Sequence, residues 1–198
     1  MKIIILFILL SIVAFKPQSP ATHNTQPATN SLQQIYTAEL GIREATGRND
    51  GNRVEGYLRY VRLKPGNPWC AAFVCYCLGK AGIPNPRSGY CPSMFPAGKV
   101  IWTRKLKAES VKQKAARNTQ PATHNPSPGD VFGIYFPEKG RIAHVGFVDD
   151  WGDKYAVTVE GNTNEAGSRE GDGVYRKRRL ISSLYKVARF PPELQGRR

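Results

Sequence analysis

Hydrophobic positions near the start of the folded region recur with the period of an α-helix. Leu32, Ile35 and Tyr36 follow the cap candidate Ser31 at helical spacing. After Gly51-Asn52 the same spacing returns in a second group, made of Val54, Tyr57, Leu58 and Val61. The pattern therefore predicts two amphipathic helices in this part of the chain.

A third helix is predicted to begin near Cys70. The segment Ala71 to Leu78 is rich in apolar residues that a helix accepts, and Gly79 to Pro84 supplies a stop. From Pro84 to Gly98 the density of Pro, Gly and Ser favours an irregular stretch. Residues 99–117 are basic, and we predict a short helix there.

After residue 127 the pattern changes to short β-strands. Pro128-Gly129-Asp130 is a turn signal, and strand-like segments separated by turn-forming residues follow it. These segments are Val131 to Phe136, His144 to Val148, Tyr155 to Glu160, Gly173 to Leu180 and Leu184 to Phe190. Because short links join antiparallel neighbours, we expect an α+β fold with N-terminal helices packed on an antiparallel sheet of about five to six strands.

Two polar, proline-bearing segments share their sequence. Asn24 to Thr29 recurs as Asn118 to Thr123, and the overlapping segment Pro20 to Asn24 recurs as Pro121 to Asn125. Such segments cannot bury a core, so we interpret 20–30 as a polar linker and 118–127 as a loop inserted into one folded domain over 31–192, followed by a basic tail at 193–198. His23 and His124 belong to the repeats, which leaves His144 as the histidine in sequence that is predicted to fold.

The N-terminus has the pattern of an export signal. Lys2 precedes an apolar run from Ile3 to Phe15 that only Ser11 interrupts. The run is about half to two-thirds of the length that spans a bilayer, which fits a secretory signal better than a membrane span. Residues 1–19 are therefore predicted to be a signal peptide or N-terminal anchor, and the protein to be exported, whether periplasmic, attached to the cell envelope or secreted.

The net charge of the chain indicates which ligands it attracts. The chain carries 29 Lys and Arg against 15 Asp and Glu, a net charge of +14, which attracts anionic polymers.

Its four cysteines form no Cys-x-x-Cys pair and have no histidine at metal-ligand spacing, so we expect neither a metal nor another cofactor. If Cys70 stays free, at most one disulfide can form among the other three, with Cys91 as a candidate partner; Cys75 and Cys77 are too close on one helix to bridge each other.

The position of Cys70 suggests a reactive thiol. Gly66 and Pro68 set a turn just before it, and a cysteine in the first turn of a helix has its thiolate stabilised by unpaired N–H groups and by the helix dipole. The structural alternative is a small buried hydrophobic residue, which is the common role of a free cysteine. Cys75 and Cys77 keep that structural interpretation, because a thiol in the middle of a helix lacks this stabilisation.

His144 and Glu160 are predicted to meet in a hairpin. His144 starts an apolar strand, where a lone histidine is more often structural than catalytic. With the turn near Gly152-Asp153, Glu160 on the next strand returns to the level of His144. A carboxylate there holds the imidazole in one tautomer, so cysteine, histidine and glutamate supply the parts of nucleophilic acyl transfer.

Four motifs in order resemble the cysteine- and histidine-dependent amidohydrolase/peptidase (CHAP) family, of the papain-like and NlpC-like fold group. They are Trp69 to Val74, Pro128 to Val131, His144 to Gly146 and Glu160 to Asn162. Each is weak alone, but four with family-like spacing are strong. The similarity runs from about Ile35 to Phe190, apart from the inserted loop.

The resemblance implies roles for individual residues. Cys70 is implied as the nucleophile, His144 as the general base, Glu160 as the residue that orients it, and Asn162 as a polar helper near the same site. It also implies a substrate, peptidoglycan, cut either between muramic acid and L-alanine or within the peptide stem and cross-bridge. We expect a monomeric enzyme with no nucleic-acid partner.

Two other functions remain open at this point. A basic module without chemistry would bind wall polymer or another polyanion, and an NlpC-type cysteine peptidase would share the fold; the Trp-Cys-Ala-Ala context favours CHAP over the latter. The basic clusters at Arg176 to Arg179 and between Lys99 and Arg117 are interpreted first as a solvated strand edge and a helix face. Electrostatic contact with anionic wall polymers is the second interpretation.

Overall fold

The computed structural model describes residues 31–104, 125–165 and 171–191. Its helices are α1 (Leu32–Thr37), α2 (Asn52–Tyr60) and α3 (Cys70–Lys80). The helix-period predictions and the predicted start of the third helix are confirmed. At Ser31 the hydroxyl accepts a hydrogen bond from the Gln34 N–H, and the Gln34 side chain accepts one from the Ser31 N–H, so the capping box that starts α1 is complete.

Within the described residues, six antiparallel strands form one sheet, in the order β1-β6-β2-β3-β4-β5. The strands are β1 (Val100–Thr103), β2 (Val131–Phe136), β3 (Arg141–Trp151), β4 (Tyr155–Thr163), β5 (Gly173–Leu180) and β6 (Lys186–Ala188). The α+β fold with helices on an antiparallel sheet is therefore confirmed. β3 and β4 are longer than predicted, because their pairing with neighbours on both sides continues past the local strand signal.

The helix predicted over 99–117 is wrong where the structure describes it. Val100–Thr103 forms the edge strand β1 beside β6, since its β-branched and aromatic side chains suit a pleated surface better than a helix. Residues 105–117 lie outside the described ranges. So do the predicted signal peptide or anchor at 1–19, the linker at 20–30, residues 118–124 of the inserted loop and the tail at 193–198.

The main core lies between the helices and one face of the sheet. Phe73 of α3 meets Phe147 of β3 edge to face at 5.9 Å between ring centroids, and Tyr36 of α1 stacks on Phe147 at 4.6 Å. The first six residues of α3 are all buried, so this helix is fixed on the sheet along its N-terminal half. None of the helices in the described part of the chain has the length and apolar character needed to cross a membrane.

Gly161 lets β4 approach the start of α3. A Cβ at this position would lie 2.6 Å from Trp69 Cζ3 and 2.8 Å from Phe73 Cγ, so a side chain does not fit. The close approach places Glu160 and Asn162 beside the turn that precedes Cys70. Packing of the Gly161 backbone against the Trp69 and Phe73 rings thus positions β4, which carries Glu160 and Asn162, relative to the start of α3, which carries Cys70.

Candidate active site

Cys70 is the first residue of α3, as the sequence predicts. The residue is 5% exposed and lies on a cleft wall. N–H groups in the first turn of a helix have no intrahelical acceptor, so they present partial positive charge beside the sulfur. The Trp69 N–H just before it donates to Asn162 Oδ1 at 3.1 Å, and the Trp69 indole donates to Glu44 Oε1 at 2.8 Å. These bonds fix the turn that carries the thiol.

His144 and Glu160 are in direct contact. His144 Nε2 lies 2.8 Å from Glu160 Oε2, and both side chains are buried. The hairpin between β3 and β4 turns where predicted, with the Gly152 N–H donating to the Tyr155 carbonyl at 3.0 Å. Because Glu160 occupies Nε2, the nitrogen left for the thiol is Nδ1. Nδ1 is buried and makes no hydrogen bond of normal geometry in the described part of the chain.

Glu160 is held from its other side by Arg179. The Arg179 Nε and Nη2 donate to Glu160 Oε1 and Oε2 at 2.6 and 2.5 Å, and the Thr158 hydroxyl donates to Oε1 at 2.6 Å. Burial would raise the pKa of Glu160, but the bonds to Arg179 and His144 outweigh it and lower that pKa below its usual value. The carboxylate is therefore held ionised within the fold.

The interpretation of Arg176 to Arg179 as a solvated strand edge is wrong for Arg179. Only 17% of its side chain is exposed, whereas Arg176 is 51% exposed and pairs with Asp149 at 2.9 Å. The alternation of β5 gives the physical reason, since Arg179 shares the face of β5 that Tyr175 and Lys177 occupy, towards Glu160 and Thr158. A period-two pattern applied to this basic run could have identified it.

Cys91 lies against Cys70. The two sulfur atoms are 3.5 Å apart, and Cys91 is 5% exposed at the start of a short 3₁₀ helix, Cys91–Met94. All four cysteines are free thiols, so the structure holds no bridge among Cys75, Cys77 and Cys91. No sequence signal places Cys91 at the site, because the irregular segment between α3 and this turn has no period from which its path follows.

The ionisation of the site favours a thiolate and an imidazolium. The hydrogen bond from Cys91 is the largest cause that lowers the pKa of Cys70 well below its usual value, and His144 acts in the same direction against the effect of burial. Burial disfavours the imidazolium, but Cys70 and Glu160 outweigh it and raise the pKa of His144 to about 9. The hydrogen bond to Cys70 and burial raise the pKa of Cys91, so its proton stays in place.

Asn162 lies at the site, but its side chain bonds to the turn before Cys70 rather than to His144. Its Oδ1 accepts from the Trp69 N–H, and its Nδ2 donates to Asn49 Oδ1 at 3.0 Å and to the Gly171 carbonyl at 3.1 Å. Its backbone is in the left-handed region, with φ of 57°. These contacts attach β4 to the turn before α3, and none of them is to His144.

A cleft of about 450 Å³ opens over Cys70. The charged side chains that line the cleft are two acidic ones, Glu44 and Asp172, and two basic ones, Lys139 and Arg141. The Arg141 guanidinium lies 5.1 Å from the ring centroid of Tyr90, which is 53% exposed at the rim. Within the described ranges, no group of three or more His, Cys, Asp or Glu is placed to hold a metal ion.

Comparison with known proteins identifies a domain family. No curated protein matches the chain, and no solved structure does. The family model of the CHAP domain matches residues 63–162, which is 100 of the 198 residues. The matched segment contains Cys70, His144, Glu160 and Asn162, whereas Arg179 follows it. The match covers half of the chain and includes the motifs on which the resemblance rested, and the chain therefore belongs to the CHAP domain family.

Proposed function

We propose that this protein is a cysteine hydrolase that cuts an amide bond of peptidoglycan. The observation that carries the proposal is the position of His144, whose Nε2 is bonded to a buried carboxylate while its other nitrogen remains for a thiol at a helix N-terminus. CHAP family members hydrolyse peptidoglycan, either between muramic acid and L-alanine or within the stem and cross-bridge. The proposed substrate is one of these amide bonds.

In the acylation step, the Cys70 thiolate attacks the amide carbonyl carbon. The His144 imidazolium then gives its Nδ1 proton to the leaving nitrogen, so that the C–N bond breaks and a thioester remains on Cys70. The backbone N–H of Cys70 in the first turn of α3 is our candidate donor to the developing oxyanion. Glu160 keeps the imidazole in the required orientation throughout, because Arg179 fixes the carboxylate.

In the deacylation step, neutral His144 accepts a proton from water. The resulting hydroxide attacks the thioester, the C–S bond breaks, and the acyl product leaves as a carboxylic acid while the thiolate and imidazolium are restored. No external proton donor is needed, since His144 returns in each cycle to its starting state. Its pKa of about 9 makes it a cation at neutral pH before acylation.

The charged lining of the cleft suits a peptidoglycan stem. Stem peptides carry free carboxylates, and Lys139 and Arg141 give the cleft a cationic wall at the start of β3. Arg141 has no acidic partner among the ion pairs of the described residues, so its charge is available to a ligand. The net charge of +14 adds a longer-range attraction to anionic wall polymers, which salt weakens.

Export completes the proposal. The apolar run from Ile3 to Phe15 after Lys2 supports a signal peptide or an N-terminal anchor. Either would direct the domain to the periplasm, the envelope or the medium, where peptidoglycan is accessible. The polar segment 20–30 would then separate the signal from the domain.

The test is digestion of purified sacculi. The reduced full-length protein should clear a suspension of sacculi, and mass spectrometry of the released fragments should show one new amine and one new carboxylate per cut, which identifies the bond. Cys70→Ala should abolish clearing. Cys77→Ala is the matched control, because it also removes a buried thiol of α3 but leaves the cleft unchanged. Equal clearing by Cys70→Ala would contradict the thiol mechanism, whereas binding to sacculi without released fragments would favour a binding module.

A further inference from the structure

We propose that Cys70 and Cys91 form a redox pair, in which a peroxide converts the two thiols into a disulfide that closes the site. The observation is the 3.5 Å contact between their sulfur atoms. A disulfide needs a separation of about 2.0 Å, so the sulfurs must approach by about 1.5 Å, which is within the reach of side-chain rotation and a small shift of one turn.

The surroundings favour movement of Cys91 rather than Cys70. Cys70 begins a helix whose first six residues are buried in the core, whereas Cys91 follows the irregular segment 83–90 and opens a four-residue 3₁₀ helix. The other thiols point elsewhere. The Cys75 sulfur contacts the Ser88 carbonyl at 3.6 Å and the Met94 sulfur at 3.7 Å, and Cys77 is fully buried beside α2.

A small oxidant can reach the pair from the cleft. Both cysteines line the cavity of about 450 Å³, although each is only 5% exposed. The thiolate is the form of cysteine that reacts with peroxide, and the product of that reaction is a sulfenic acid. A second thiol in contact with the sulfenic acid can condense with it to a disulfide. Cys91 thus has the position of a resolving cysteine.

The chemistry balances with hydrogen peroxide as the oxidant. The Cys70 thiolate attacks one peroxide oxygen, the O–O bond breaks, and Cys70 becomes a sulfenic acid while the released hydroxide takes a proton from the His144 imidazolium. The Cys91 sulfur then attacks the Cys70 sulfur, the S–O bond breaks, and the hydroxyl leaves as water with the Cys91 proton. The sum is two sulfurs oxidised, one peroxide reduced and two waters formed. A thiol reductant reverses the bridge by exchange.

Formation of the bridge does not depend on the hydrolase activity, but its consequence for catalysis rests on the proposed function. With Cys70 in a disulfide, no thiolate is available to attack an amide. Hydrolysis should therefore stop on oxidation and return on reduction. The bridge would also protect Cys70 from further oxidation to sulfinic acid, which thiols do not reverse.

The test is peptide mapping of the full-length protein after peroxide treatment. Trypsin should release Leu63 to Lys80 with Cys70, and Ser88 to Lys99 with Cys91. We expect these two peptides to be joined, with a mass lower than their sum by two hydrogens, and to separate after treatment with dithiothreitol. Fragmentation of the joined peptides, or a Cys75→Ala/Cys77→Ala variant, assigns the bridge within the first peptide, which also carries Cys75 and Cys77.

Cys91→Ser is the matched variant. It cannot form the bridge, so after peroxide treatment its Cys70 should gain about 32 Da as sulfinic acid. Dithiothreitol should then restore the ability of the oxidised wild-type protein to clear sacculi, but not that of the oxidised variant. Oxidation of wild-type Cys70 to sulfinic acid without the joined peptides would overturn the proposal, as would a bridge from Cys70 to Cys75 or Cys77. Joined peptides in a protein that never clears sacculi would contradict the proposed function and leave the redox pair standing.

Discussion

Arg179 and Glu160 form a two-bond ion pair behind the imidazole of His144. The guanidinium nitrogens lie 2.6 and 2.5 Å from the two carboxylate oxygens, and Glu160 is completely buried. The group that orients His144 is thus itself oriented by a strand that follows the segment matched by the family model. Charge compensation from β5 is what allows an ionised carboxylate at this depth.

Arg179→Ala should therefore destabilise the protein and reduce its activity. Removing one partner of a buried pair leaves the other charge uncompensated, which costs about 3–5 kcal/mol of unfolding free energy. Urea denaturation measures this change. Arg176→Ala on the same strand is the control, since that side chain is half exposed and its ion pair is worth at most about 1 kcal/mol. Equal unfolding free energies for the two variants would contradict the structural role given to Arg179.

The pH dependence of hydrolysis should be bell-shaped. The acidic limb reflects ionisation of Cys70, whose pKa lies well below its ordinary value of 9.0, and the alkaline limb reflects loss of the His144 proton near pH 9. Glu160→Gln removes a charge that raises the pKa of His144, so the alkaline limb should move to lower pH. Rates measured from pH 4 to about 11 with sacculi test this. A limb that stays in place would show that Glu160 does not act on the imidazole.

Cys91 should control the acidic limb. Its hydrogen bond is the largest cause that lowers the pKa of Cys70, so Cys91→Ala should raise that pKa and reduce the thiolate fraction at acidic pH. Under reducing conditions, the rate of Cys70 alkylation by iodoacetamide increases with pH as the thiolate forms. In Cys91→Ala, this increase should occur at a higher pH than in the wild-type protein. Cys91→Ser, which keeps a hydroxyl donor, should give an intermediate shift. An unchanged profile for Cys91→Ala would exclude this hydrogen bond as a determinant of thiol reactivity.

The parts of the site that the sequence predicts are those set by local signals. A helix that starts at Cys70 and a hairpin that returns Glu160 to His144 follow from periodicity and turn residues, and the structure has both. Five of the six strands, β2 to β6, follow equally from short strand-like segments with short links, whereas β1 lies in a segment for which a helix was predicted. Such signals are available from the chain alone because each one involves neighbours along it.

The parts that the sequence does not predict depend on contacts between distant segments. Cys91 reaches Cys70 through an irregular segment, and the inward direction of Arg179 becomes clear only once β5 is paired with β4. The resemblance implies Asn162 only as a polar helper near the site, and it is the fold that directs its bonds to the turn before α3, with φ of 57°. In each case, tertiary packing selects one of several directions that the local pattern permits.

Asn162→Ala should slow catalysis without moving either limb of the pH profile. The substitution leaves the buried Trp69 N–H without its acceptor, which costs about 1–3 kcal/mol, and it releases the turn that positions Cys70. Because Asn162 has no bond to His144, the ionisation of the thiol and imidazole should be preserved. Asn162→Asp keeps an acceptor for Trp69 and should retain more activity. A pH limb that shifts in Asn162→Ala would instead indicate a direct role beside the imidazole.

Arg141→Ala should weaken substrate binding more than it slows the chemical step. The Arg141 guanidinium lies on the cleft wall beside Tyr90. A charged hydrogen bond to a stem-peptide carboxylate is worth about 1.5–3 kcal/mol, which corresponds to a KM higher by about 10- to 150-fold. Because the residue does not touch the Cys70–His144 pair, kcat should change much less. Steady-state kinetics with soluble stem-peptide fragments separate the two constants. Arg178→Ala is the matched control, since it removes the same unit charge from an exposed position on β5 that contacts Tyr155 rather than the cleft. If both variants raise KM equally, the general positive field of the protein, and not the cleft wall, recruits the substrate.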